Sequence, residues 1–130
     1  TVMAKEAGAK RALMLPVSAP FHCALMAPAA EKMAEALAEV EMAAPKVPVV
    51  ANVVAEAVSD PDTIRDLLIK QVTGQVRWKT SVEWMASRGV TEFWEIGAGK
   101  ALSGMIRRIA KDATVRNIGV PDDVKAAIET

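Results

Sequence analysis

The one histidine of the chain, His22, is followed directly by its one cysteine, Cys23, in the segment Val17-Ser18-Ala19-Pro20-Phe21-His22-Cys23-Ala24-Leu25-Met26. An imidazole titrates near neutral pH, so a histidine fixed at the corner between two elements can act as general acid and base. The run before it, Arg11 to Val17, reads as a strand. Ser18-Ala19-Pro20 breaks it, and a helical pattern begins at Ala24. The plainer alternative is a structural histidine, whose Nδ1–H bonds a nearby carbonyl and does nothing else. Adjacency does not make a Cys-His dyad, because neighbours on a helix point about 100° apart. Cys23 reads as a small packing residue.

A nucleophile for this imidazole is harder to find. The Gly-x-Ser-x-Gly elbow that presents a strained serine does not occur. Its nearest approach, Met85-Ala86-Ser87-Arg88-Gly89, lacks the first glycine. Half of an active site is therefore legible. Glu95-Ile96-Gly97-Ala98-Gly99-Lys100 lies between a strand and a helix, as a phosphate loop would. A Walker A loop, however, needs glycine where Trp94 stands and Ser or Thr where Ala101 stands. A dinucleotide fingerprint needs glycine at Leu102. A tight turn remains, with glycines that permit close backbone approach. The carboxylates are scattered without metal-ligand spacing, and Trp78, Trp84 and Trp94 read as core and rim aromatics. Gln71 is a surface residue by default. Asn52, inside an apolar strand, must find partners for its amide.

The elements that must position these residues alternate. Residues 1–8 finish a helix, 11–17 form a strand, and 24–43 a long amphipathic helix with Met26, Met33, Leu37 and Val40 inward, stopped by Pro45. Val47 to Val54 reads as a strand buried on both faces. Asp60-Pro61 opens a helix through Gln71, followed by helix 78–88, strand 91–96, helix 100–111, strand 114–118 and helix 121–129. This order predicts an α/β fold built on a mostly parallel sheet.

Composition excludes several classes. With 52% hydrophobic residues over 130 positions the chain can bury a core. Sixteen basic residues balance sixteen acidic ones, so no overall field gathers nucleic acid or a membrane surface. Arg107, Arg108 and Lys111 read as a solvated helix face. A lone cysteine rules out an internal disulfide and suits a reducing, cytoplasmic setting. No apolar run approaches the roughly 20 residues of a membrane helix. The opening Thr1-Val2-Met3-Ala4-Lys5-Glu6 looks like the tail of a helix rather than a signal peptide, which suggests a piece of a longer protein.

The segment from Val17 through Ala30 closely resembles the catalytic-histidine segment of malonyl-CoA:acyl carrier protein transacylases. Three further segments keep that family's order: Val49-Val50-Ala51-Asn52-Val53; Gln71 through Val76-Arg77-Trp78 with Ser81-Val82-Glu83; and Glu95 through Gly104. The resemblance implies the C-terminal part of an α/β-hydrolase-like large subdomain, residues 18–130, preceded by the last helix and strand of a ferredoxin-like small subdomain, residues 1–17. It implies that His22 is the general base and acid of a ping-pong transfer of malonyl from CoA to the phosphopantetheine thiol of acyl carrier protein, in fatty-acid biosynthesis. Gln71 matches the position whose backbone carbonyl orients the imidazole, and Phe21 the position where bulk favours malonyl over methylmalonyl. The serine, the oxyanion-hole amides and the carboxylate-gripping arginine would lie in the N-terminal part of the same protein, itself a partner. No cofactor, metal, nucleic acid or membrane is implied, and the chain alone should be inactive. Two alternatives accompany this reading: an acyltransferase domain of a polyketide synthase, and a non-catalytic α/β binding or assembly module.

Overall fold

Local punctuation sets most of the element boundaries. In the computed structural model, which describes residues 1–14 and 16–128, the Asp60 carboxylate accepts from Thr63 N–H at 2.8 Å and opens α3 (Pro61–Lys70), with proline in its first turn. Helix α4 (Trp78–Ser87) stops where Gly89 takes φ +88°. Gly97 and Gly99, at φ +128° and +95°, make the tight turn between β3 (Glu92–Ile96) and α5 (Ala101–Ile109). Strand β4 (Thr114–Ile118) and α6 (Pro121–Ile128) complete the described chain.

The order is α/β, but the sheet differs from the expected one. Strands β3 and β4 pair in parallel, with Phe93 opposite Val115. The other pairing is an antiparallel hairpin, β1 (Val49–Ala51) with β2 (Glu56–Val58). The described residues thus hold two separate two-stranded sheets rather than one mostly parallel sheet. Val47–Val54 is not a strand buried on both faces. Only its middle is extended, Val49 is exposed, and residues 52–55 turn the hairpin with Ala55 at φ +58°. Valine's β propensity misleads here because the turn is closed by main-chain bonding, Ala55 N–H to Ala51 O at 2.8 Å.

Two further expectations fail. Arg11–Val17 is not a strand in its described residues, since a strand exists only where a partner ladder satisfies it and none lies beside this segment among the described residues. A short helix, α1 (Val2–Glu6), does precede it, with Gly8 at φ +88° past its end. The helix expected over 24–43 is a 3₁₀ turn, Ala24–Met26, followed by α2 (Ala27–Ala38). Its end is fixed from a distance: the Arg65 guanidinium of α3 donates to Leu37 O at 2.6 Å and Val40 O at 3.2 Å, claiming the orphan carbonyls. Met33 and Val40 of the proposed inward face are exposed.

The core lies where α4 and α5 cover the parallel pair. Val82, Phe93, Ile106 and Ala110 form it, with Trp78, Met85, Ile109 and Val115 packed around. Arg107 of the basic cluster serves this unit by donating to Val115 O at 3.2 Å. Glu95 at the end of β3 caps α5, accepting from Ser103 N–H at 2.7 Å and Leu102 N–H at 3.1 Å.

The Glu95 carboxyl is held below its ordinary value of 4.5, chiefly by the nearby Ser103 hydroxyl, with the two main-chain donors and the Asn117 amide adding to it against partial desolvation. Ser103 Oγ forms no hydrogen bond of its own, so its pull is that of a nearby O–H dipole. The folded carboxyl binds its proton less tightly than the unfolded one. Its stabilisation is therefore complete above pH 4.5 and is lost as pH falls through the lowered folded value. Glu95→Gln is expected to lower Tm at neutral pH, by an amount that shrinks below pH 4.5. A wild-type-to-variant gap that stays constant with pH would remove Glu95 from the acid response.

Candidate active site

The last turn of α3 leaves carbonyls that no following helical N–H can reach. Gln71 caps this helix, and residues 71–74 curl back so that Gly74 N–H bonds Lys70 O at 3.0 Å. Glycine suits this place, because a Cβ on Gly74 would crowd that same Lys70 oxygen at 3.0 Å. The turn presents two carbonyls side by side, and His22 Nδ1 lies 2.9 Å from Gln71 O and 3.1 Å from Gly74 O.

Both neighbours of Nδ1 are acceptors, so Nδ1 carries the hydrogen and shares it between them. In the neutral ring the lone pair is then on Nε2. The ring is exposed rather than buried among aliphatics, and Nε2 makes no hydrogen bond among the described residues. His22 has φ +57°, a left-handed conformation uncommon outside glycine, which turns its side chain toward the α3 terminus. The corner is a loop running into a 3₁₀ turn, not the end of a strand.

The neighbouring candidates separate. Cys23 donates its thiol to Pro20 O at 3.1 Å, a local contact that leaves the imidazole alone. Ser87 of the imperfect elbow caps α4 by donating to Trp84 O at 2.7 Å. Phe21, immediately before the histidine, is exposed. Asn52 finds its partners: Oδ1 accepts from Arg77 N–H at 2.8 Å, and Nδ2 donates to Gln75 O at 3.3 Å. Two features were not anticipated. The Gly74 carbonyl is one, since no residue type marks a main-chain oxygen. The other is Arg77, which donates to Val53 O and Val54 O at 3.3 and 3.2 Å and ties the hairpin turn to the start of α4.

Among the described residues no group of His, Cys, Asp and Glu could hold a metal ion. No helix of the described residues is long and apolar enough to cross a membrane. The cavity bordering Gln71, between the hairpin and α3, measures about 110 Å³, well under the roughly 300–1,000 Å³ of a ligand pocket. What the geometry offers is an accessible imidazole anchored at Nδ1, near a cavity smaller than a ligand pocket.

No family model matches the chain. The curated malonyl CoA-acyl carrier protein transacylase of Escherichia coli (strain K12) is 49% identical over 125 residues, which cover 96% of this chain and 40% of that protein. The crystal structure of an acyl-carrier-protein-S-malonyltransferase from Bartonella henselae matches with a TM-score of 0.90 at 49% identity, covering 98% of this chain and 41% of that one. A type II PKS acyl-carrier protein in complex with its malonyl-transacylase matches with a TM-score of 0.88 at 41% identity, over 96% of this chain and 40% of that one. By sequence and backbone alike, the chain is a relative of malonyl-CoA:acyl carrier protein transacylases that spans about 40% of the length of those it matches.

Proposed function

We propose that the chain supplies the acid–base histidine of a malonyl-CoA:acyl carrier protein transacylase, in fatty-acid synthesis and in a cytoplasmic setting. The supporting observation is the imidazole itself, anchored at Nδ1 by two main-chain carbonyls and open at Nε2. Residues 18–130 would be the C-terminal part of an α/β-hydrolase-like catalytic subdomain, and residues 1–17 the end of a ferredoxin-like small one.

In this reading Nε2 takes the proton of a serine hydroxyl as its oxygen attacks the malonyl thioester. The tetrahedral adduct collapses by breaking the C–S bond, and Nε2–H returns the proton to the departing CoA thiolate. In the second half the carrier protein's phosphopantetheine thiol gives its proton to Nε2 and attacks the malonyl-serine ester. The C–O bond breaks and the proton returns to the serine oxygen. Gln71 and Gly74 keep the ring in one tautomer through both halves, as an aspartate does in a triad. The serine comes from outside this chain. The similarity to a transacylase solved with a type II PKS carrier protein favours, as a second reading, a carrier protein of polyketide synthesis.

Enzyme assembled from this chain and a complementing serine-bearing segment is expected to move labelled malonyl from CoA to phosphopantetheinyl carrier protein. Carrier protein that stays unlabelled would reject the assignment. Phe21 stands exposed immediately before the histidine, and the resemblance gives its bulk a part in choosing malonyl over methylmalonyl. Phe21→Ser is expected to raise methylmalonyl-CoA acceptance by about tenfold relative to malonyl-CoA, the discrimination that one methyl group typically commands. An unchanged ratio of kcat/KM for the two thioesters removes Phe21 from the specificity account.

A further inference from the structure

We propose that Asn52 is a positioning residue for His22, setting the imidazole tautomer through the turn that follows α3. This rests on the proton-transfer role proposed above. The carbonyls that clamp Nδ1 belong to Gln71 and Gly74, at the two ends of a four-residue turn. Within the turn, Val72 N–H to Ile69 O and Gly74 N–H to Lys70 O tie the chain back to α3, but neither bond engages the Gly74 carbonyl. Gly74 contributes no side chain to hold it, and its contact with Lys70 is local.

The external hold comes from the β1–β2 hairpin. Asn52 begins the hairpin turn and reaches across to the segment that leaves the clamp. Its Nδ2 donates to Gln75 O, the carbonyl next after Gly74 O, and its Oδ1 accepts from Arg77 N–H. Arg77 returns the contact by donating to Val53 O and Val54 O. Residues 75 and 77 are thereby fixed to residues 52–54, and the Gly74 carbonyl, held between them and α3, faces the ring. An amide fits this place because it donates on one side and accepts on the other. Releasing it frees the Gly74 carbonyl to rotate toward water. One of the two acceptors at Nδ1 is then lost, and the ring relaxes toward the Nε2–H form, in which Nε2 has no lone pair with which to take a proton.

Because His22 is the only histidine, its ring nitrogens can be read directly by ¹⁵N NMR of the 130-residue chain with the ring neutral. The wild-type neutral ring is expected mainly as the Nδ1–H tautomer. In Asn52→Ala the ratio of Nδ1–H to Nε2–H should fall roughly fivefold, the effect of losing one hydrogen bond's net contribution. Asn52→Asp keeps the acceptor for Arg77 N–H but turns an oxygen toward Gln75 O, and should lower the ratio as alanine does. It carries the same comparison if the alanine variant fails to fold. A wild-type ring found mainly as Nε2–H overturns the proposal without any variant. So does a folded Asn52 variant whose ratio equals wild type. The unchanged ratio leaves the transfer reading standing, because that reading is tested on its own by malonyl transfer with and without His22.

Discussion

Removing the imidazole with His22→Ala is expected to lower malonyl transfer in the assembled enzyme by roughly 10²–10⁴-fold, the usual contribution of a positioned general acid–base. The loss should fall on kcat/KM for malonyl-CoA and for carrier protein alike, because Nε2 handles a proton in each half-reaction. Folding should change little. The ring is exposed, and the Gln71 and Gly74 carbonyls that it leaves can bond water. Alanine, like histidine, keeps a Cβ at the left-handed φ of +57°, so the backbone strain there stays of the same order. Near-normal labelling of carrier protein by a folded His22→Ala enzyme would end the assignment of this residue.

The second large effect concerns the chain on its own. Incubated with malonyl-CoA, the 130 residues should acquire no stable acyl group, as read by intact mass. The reason is geometric. Nε2 is hydrogen-bonded to no hydroxyl among the described residues: Ser81 and Ser103 are buried in the helical layer, Ser87 is spent on the Trp84 carbonyl, and neither Ser18 nor Ser59 bonds the ring. Cys23 points its thiol at Pro20. A base without a nucleophile leaves the thioester to slow hydrolysis. Adding a serine-bearing segment should create an adduct that survives denaturation. A stable adduct on the chain alone would contradict the division of labour proposed here.

What the sequence made legible tracks how local each determinant is. Asp60-Pro61, Gly89 and the Gly97–Gly99 turn carry their instructions within a few residues, and the elements from α3 onward lie close to where those signals put them. The elements that went wrong are governed by distant partners. Arg65 ends α2 from another helix, and the valines around Asn52 are bent into a turn by bonds that periodicity cannot express. Residues 11–17 look like a strand and have no ladder to join among the described residues. The site divides in the same way. His22 stood out by being unique and Asn52 by its polar amide in an apolar run. The Gly74 carbonyl could not be read at all, because every residue has a carbonyl and only the fold gives it a direction.

The atoms that aim the imidazole come from a turn 49 and 52 residues farther along the chain. During synthesis on a ribosome, His22 emerges long before α3 and the loop beyond it exist. A contact spanning that distance forms only after the intervening hairpin and helix have closed. Until then the side chain rotates freely, with either nitrogen carrying the hydrogen. A fixed ring orientation is thus a product of late folding, reached only once residues 22, 71 and 74 have met.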